Sequence, residues 1–285
     1  MNNPAKGLIV TADDFGLAEP VNEAVEMAHA RGVLTCASLM VAGRAVADAV
    51  KRARKSPDLK IGLHVVLVEG RPVLPPGVVP DLVTADGRFR ADMASAGVDM
   101  FFKAHVRRQL MAEVSAQFEA YAATGLPLDH ATAHKHFHLH PTIAGAIITA
   151  GRRFGLKAVR VPVEPRATLR AAEPGYRPGP AMITGPWSHF VRRRFKKAGL
   201  YMPDWVFGLR WSGAMTEARL EGVLNNLPGG VSEIYLHPAT RDDFEDAAPG
   251  YRYAEELAGL CASGVALAAG SVRRGGFSDF AAATR

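Results

Sequence analysis

Cysteine is scarce in this 285-residue chain: only Cys36 and Cys261, far apart and each in apolar surroundings. Two such thiols make no disulfide framework and fit core residues in a reducing compartment. Long hydrophobic runs are missing too, and none approaches the length of a membrane span. The segment Met1 to Gly7 passes almost at once into a strand-like stretch without the apolar core of a signal peptide. The expected location is therefore cytoplasmic, with peripheral contact at the inner face of the cytoplasmic membrane left open. Charge of one sign is also in short supply. Lys and Arg total 34 against 28 Asp and Glu, a net charge of +6, and five basic residues lie in the single run Arg192-Arg193-Arg194-Phe195-Lys196-Lys197. Setting that run aside leaves 29 against 28. A nearly neutral protein with one basic spot is not a general nucleic-acid binder.

Several signatures are absent. There is no Walker-type loop, no dinucleotide fingerprint and no Gly-x-Ser-x-Gly elbow, and neither cysteine sits beside a suitable base. Phosphate-cradling loops and covalent nucleophiles are thus not indicated. No internal repeat or linker divides the chain, so residues 1–285 read as one domain.

What is present is an alternation of short apolar runs with helical patterns. Strands are expected at Leu8–Ala12, 34–41, 59–68, 127–133, Ala158–Val163, 231–236 and 265–269. Helices are expected at 18–31, 44–55, 103–124, 141–154, 216–226 and 252–263. A long irregular loop spans 69–100, rich in Gly and Pro, and the least regular part is 164–215. Continuous apolar strands alternating with helices imply a parallel sheet covered on both faces. Seven or eight such units fit an α/β fold, an irregular TIM-like (β/α) barrel; a doubly wound open sheet is the runner-up.

Polar residues fall where such a barrel would place its chemistry. The first strand runs into Asp13-Asp14-Phe15-Gly16, the third carries His64, the fourth runs into His134-Lys135-His136-Phe137-His138-Leu139-His140-Pro141, and the strand at 231–236 ends in His237-Pro238. In a parallel barrel the C-terminal strand ends form one rim. Five of ten histidines lie between 130 and 140. In an extended segment His134, His136, His138 and His140 would share a face. Imidazole with carboxylate, and no available thiolate, suits a divalent ion such as Zn, Mn, Fe, Co or Mg. The Asp13-Asp14 pair has a plainer reading, a turn and cap for the following helix. On the metal reading, adjacent side chains point differently, so one binds the ion while the other faces the substrate water.

These residues resemble the YdjC-like carbohydrate deacetylases. The resemblance rests on Thr11-Ala12-Asp13-Asp14-Phe15-Gly16-Leu17, on Gly62-Leu63-His64 with Glu69-Gly70-Arg71-Pro72, on the HxHxHxxP stretch from His134, and on Glu233-Ile234-Tyr235-Leu236-His237-Pro238. Lys135 within that stretch and Val68-Glu69-Gly70-Arg71-Pro72-Val73-Leu74-Pro75-Pro76 make it most similar to the hopanoid-biosynthesis-associated deacetylases. The resemblance implies a distorted barrel binding one divalent metal, Zn or Mg, through Asp14, His64 and His134. It places Asp13 as general base and His237 as general acid, and it puts Arg160, His136 and His138 in contact with substrate. Where family members often have Asp two residues before the first His, this chain has Thr132.

The implied reaction removes the N-acetyl group from an N-acetylglucosaminyl hopanoid lipid and releases acetate. The same chemistry on soluble oligosaccharides such as chitobiose is the nearer alternative, and non-enzymatic sugar binding at a metal site the further one. A glycosidase would need carboxylates flanking the scissile bond, not an adjacent pair. Residues 187–211 hold all three tryptophans, seven of 22 aromatics and the basic run. Two readings compete for this segment: barrel packing with one solvated basic face, or a lipid-facing patch made by Trp187, Arg192, Arg193 and Arg194. A homodimer is left open.

Overall fold

The computed structural model describes residues 6–176 and 185–283; the N-terminal Met1–Ala5 and positions 177–184 of the irregular segment lie outside them. The chain runs β1 (Lys6–Phe15), α1 (Glu19–Arg31), β2 (Cys36–Leu39), α2 (Val46–Lys55), β3 (Lys60–Val65), α3 (Met93–Phe102), α4 (Ala104–Ala123), β4 (Ala131–Ala133), a tight 3-10 turn (His134–Leu139) and α5 (Pro141–Arg153). It continues through α6 (Arg166–Ala172), α7 (Gly185–Lys197), β5 (Trp205–Phe207), α8 (Glu217–Asn225), β6 (Gly230–Leu236), α9 (Tyr253–Cys261), α10 (Ser263–Ala269), β7 (Arg273–Arg274) and α11 (Phe277–Ala283).

All strand pairs are parallel, in the order β4-β3-β2-β1-β6-β5, with β7 against β1. The sheet curls, and residues 158–163 bridge its ends. Ala131 N–H donates to Ala158 O at 3.0 Å, Val159 N–H to Tyr201 O at 2.9 Å and Val206 N–H to Val163 O at 3.0 Å. The expected fifth strand is therefore an irregular stave. Pro162 removes one ladder donor there.

Alternation along the strands sorts side chains between barrel interior and helical shell. Leu8, Val10 and Ala12 join the main core under the helices, while Ile9 packs with Cys36, Ala158, Phe277 and Phe280, so α11 stoppers the N-terminal end. Above this plug the interior turns polar. Thr11 donates to Glu233, and Ser38 Oγ lies 3.2 Å from His130 Nε2. Gly62 is required beside it, because a Cβ there would lie 2.5 Å from the His130 ring.

Two expectations need correction. Residues 265–269 form α10, not a strand: Ser263-Gly264-Val265-Ala266-Leu267-Ala268-Ala269 is alanine-rich, and a short apolar run does not by itself distinguish strand from helix. The loop after β3 ends earlier than expected, because Asp92 caps α3 by accepting from Ala94 N–H and Ser95 N–H, both at 3.1 Å. No described helix is long and apolar enough to cross a membrane.

Candidate active site

The C-terminal strand ends open on a cavity of about 430 Å³ lined by Asp13, Asp14, His64, His134, His136 and His237, with Tyr235 and Tyr251 in its wall. All five non-glycine residues with positive φ among those described (Asp14, Glu69, Lys135, His136 and Asp246) line this one cavity. Backbone strain of this kind persists only where surrounding structure enforces it. Neither aspartate caps α1, whose N-cap is Ala18 with no side-chain bond.

Asp14, His64 and His134 each aim a ligand atom at a common point, all within 4.8 Å of one another. Asp14 Oδ1 lies 3.2 Å from His134 Nδ1 and 3.3 Å from His64 Nε2. His64 Nε2 is buried and has no hydrogen-bond partner among the described residues. Its other nitrogen, Nδ1, is 2.7 Å from Thr132 Oγ1. With the proton on Nδ1, the ring donates to Thr132 and turns the Nε2 lone pair towards Asp14. Thr132, the departure from the usual Asp, thus acts as the orienting partner of His64. A buried orphan nitrogen in a set of one carboxylate and two imidazoles fits a borderline divalent ion, and fits Mg, which favours oxygen, less well. Burial opposes ionisation of Asp14, yet His134 and His64 hold its carboxyl well below the usual range. Burial opposes charge on His134 as well, but Asp14 outweighs it and raises its proton affinity.

Behind the cavity lies a fully buried ionic chain. Arg160 forks between two carboxylates, donating to Asp13 Oδ1 at 3.1 Å and to Glu233 Oε1 at 2.6 Å, with a further contact to Asp13 Oδ2. Its guanidinium also lies 4.4 Å from the Tyr235 ring centre. Against the cost of burial, Arg160 first, with His64 and His237, keeps Asp13 ionised far below the ordinary carboxylate range. The substrate contact expected of Arg160 is therefore corrected: its side chain is shut off from the cavity and grips Asp13 from behind.

The histidine stretch also departs from expectation. Lys135 and His136 take positive φ, so residues 134–139 wind into a turn and the four imidazoles no longer share one face, although the His136 and His138 rings stay edge to face with centres 6.0 Å apart. His134 joins the ligand cluster. His136 Nε2 meets Tyr235 Oη at 2.8 Å on the cavity wall, and burial, with Arg160 nearby, pushes it well below its usual pKa. His138 is buried and does not line the cavity; it donates to Arg160 O at 2.8 Å and is lowered by burial to about 4. His140 lies by Phe101, with ring centres 6.1 Å apart. The shared-face expectation fails because it assumed an extended backbone.

His237 lines the cavity beside Tyr251, with ring centres 5.1 Å apart, and its Nδ1 has no described partner. Burial lowers its proton affinity against the pull of Asp14 and Asp13. Its backbone N–H donates to Glu256, which also accepts from Met215 N–H at 2.8 Å. Burial pushes Glu256 up to about 7 despite those donors. Sequence reading missed Glu233, Tyr235 and Glu256. For the first two a signal existed, since counting back by twos from His237 along β6 reaches them on the interior face.

The aromatic segment 187–211 splits. Trp211 and Phe195 are buried, Trp205 donates to Gly229 O at 3.0 Å, and half-buried Arg192 donates to Pro203 O at 2.9 Å. Trp187, Arg193 and Arg194 remain exposed.

The sequence model of the YdjC-like proteins matches residues 7–268, spanning every element that builds this cavity. The chain belongs to the YdjC-like protein family. It is 38% identical to a carbohydrate deacetylase of Brevibacillus brevis over 156 residues, 55% of this chain and 58% of that protein. The match thus covers less than two thirds of the Brevibacillus protein. A carbohydrate deacetylase of Geobacillus stearothermophilus is 29% identical over 236 residues, 82% of this chain and 80% of that one. The YdjC-like chain also superposes on a crystal structure from Enterococcus faecalis V583 with a TM-score of 0.76 at 23% identity, over 97% of this chain and 99% of the other, which establishes the shared fold.

Proposed function

We propose that this YdjC-like protein is a metal-dependent carbohydrate N-deacetylase. The observation that carries the reading is the convergence of Asp13, the Asp14-His64-His134 set and His237 on one cavity, brought there from separate strands. A divalent ion held by Asp14, His64 and His134, best a Zn ion, would supply Lewis-acid polarisation of the acetamide and acidify a bound water. Asp13, clamped by Arg160, stays ionised at neutral pH and accepts the proton of the attacking water. Arg160 and Glu233 keep that carboxylate in one orientation. His237 starts neutral because of burial, takes up the proton that the water yields to Asp13 and passes it to the leaving amine. Its backbone is pinned by Glu256, so the ring faces the cavity throughout. Tyr251, Tyr253 and Leu17 offer an apolar wall to a sugar ring or its aglycone.

The substrate we favour is an N-acetylglucosaminyl lipid of the hopanoid type, met at the inner face of the cytoplasmic membrane; chitobiose is the soluble alternative. Metal-loaded protein incubated with each, with released acetate measured, separates the two. Asp13→Asn is expected to keep its metal and lose turnover by about 10²–10⁴-fold. Near-wild-type turnover in that variant would remove Asp13 from the base role.

A further inference from the structure

Seven large apolar side chains stand well exposed among the described residues, and five of them belong to two helices: Val98, Phe101 and Phe102 on α3, Trp187 and Phe190 on α7. Phe102 is 73% exposed. Within each helix the rings pair, Phe101 with Phe102 edge-to-face at 4.9 Å and Trp187 with Phe190 stacked at 5.6 Å. Apolar side chains scattered singly on a surface are ordinary, but clustered ones mark a contact site.

A groove connects the two helices. It is about 380 Å³ in volume, runs along Leu110, Met111 and Ala146 of α4 and α5, and has Phe101 and Arg194 at its edges. The groove lies at the active-site end of the barrel. α5 starts immediately after the turn that delivers His134, and Phe101 touches His140 at the end of that turn.

The charge around this face is predominantly basic: Asp99 of α3 and Glu119 of α4 are already paired, with Arg90 and Lys103 and with Arg153. Arg107, Arg108, Arg193, Arg194, Lys196 and Lys197 have no carboxylate partner among the described residues. Neither α5 nor α7 contains an acidic residue. On α7 the packing is explicit: Ser188, Val191 and Phe195 are buried, so Trp187, Phe190, Arg193 and Lys197 form the outward stripe. A second copy docking here would bring like charges together, which opposes self-association. An anionic surface would instead neutralise them. Aromatic rings favour the boundary between apolar chains and polar headgroups, and Lys and Arg favour anionic headgroups.

We propose that the α3–α7 face seats this protein on an anionic lipid bilayer, with Phe102 and the Trp187–Phe190 pair entering the headgroup boundary and the cations of α4 and α7 facing lipid phosphates. The placement would bring the cavity towards a membrane-borne substrate, and in that purpose alone it rests on the deacetylase reading. Arg192 takes no part, since it is half-buried and tied to Pro203, whereas Arg107 and Arg194, which also donate to backbone carbonyls, stay exposed.

The test is co-sedimentation with vesicles of phosphatidylcholine alone and of phosphatidylcholine mixed with phosphatidylglycerol, at low and high salt. The protein is expected to pellet with the anionic vesicles and to be released by salt. Phe102→Ser combined with Trp187→Ser should weaken binding by about tenfold or more. Arg193→Gln and Lys197→Gln should each weaken it roughly fivefold. All three variants should release acetate from chitobiose at the wild-type rate, because the changed residues lie outside the cavity. Undiminished vesicle binding by the aromatic variant, or no preference for the anionic vesicles, overturns the proposal. So does a concentration-dependent dimer that Phe102→Ser dissolves, which would make the face a contact between copies. Vesicle binding without acetate release from any substrate would sink the deacetylase reading and leave the docking face standing; acetate release without vesicle binding would do the reverse.

Discussion

Two carboxylate-containing clusters with similar ligand types occupy opposite ends of the barrel interior. At the C-terminal strand ends are Asp14, His64 and His134; at the N-terminal ends are Cys36, Asp129 and His130, equally close together and wholly buried. Only the first leaves a ligand nitrogen unspent, His64 Nε2; each borders a cavity, of about 430 Å³ at the first and about 410 Å³ at Asp129 of the second. In the second, Asp129 accepts from Phe277 N–H at 3.1 Å, from Ser278 N–H at 3.0 Å and from His130 Nδ1 at 2.9 Å, and His130 Nε2 reaches Ser38. Proximity of ligand-type atoms is therefore a poor criterion for a metal centre. Orphaned lone pairs discriminate, because a fully bonded buried cluster gains nothing by taking an ion.

The contrast can be broken most forcefully at His134. His134→Ala should lose bound metal on elemental analysis, with activity down by about 10³-fold or more; full metal content would remove His134 from the ligand set. Asp129→Ala should keep its metal but lose about 3 kcal/mol of stability, since it strands several buried donors. The acid limb of unfolding tests the same residue. Although burial opposes its charge, His130 and Ser278 lower the pKa of Asp129. Its contribution is then complete above the unfolded value of about 3.9 and fades as pH falls through the lower folded value, so wild type and variant should converge in strong acid. Metal loss in Asp129→Ala would collapse the distinction between the clusters.

Thr132→Val, nearly isosteric, should weaken metal affinity about tenfold by freeing the His64 ring, measured by competition with a chelating dye. Unchanged affinity would mean that packing alone holds the imidazole. The smallest effect is expected at Cys36, whose thiol burial pushes well above its usual pKa. A thiol reagent should label half-buried Cys261 first and Cys36 only on unfolding. Rapid labelling of Cys36 in the native protein would show that the lower cluster is open to solvent.

Much of this architecture was legible in residue order. Apolar runs located β1, β2, β3 and β6 to within a few residues, because fully buried parallel strands have no polar face to blur the pattern. The strand ends flagged Asp13, Asp14, His64, His134 and His237, and the structure brings all five to one cavity. The turn at 134–139 was not legible, since neither Lys135 nor His136 advertises a positive φ; it goes with a contact of His136 to Tyr235, a residue 99 positions away in sequence. The role of Arg160 was hidden for a related reason. Its partners Asp13 and Glu233 are 147 and 73 residues away in sequence.

By itself the sequence determined the set of chemical groups, the parallel α/β architecture and the rim on which those groups arrive, because continuous apolar runs and strand ends are local properties. Only the tertiary structure decided which histidine of the cluster faces the ligand point and that Arg160 serves Asp13 from behind rather than the substrate. It also decided which part of the aromatic segment reaches solvent. Those outcomes depend on which surfaces meet across the barrel, and burial and charge pairing act between residues far apart in the chain.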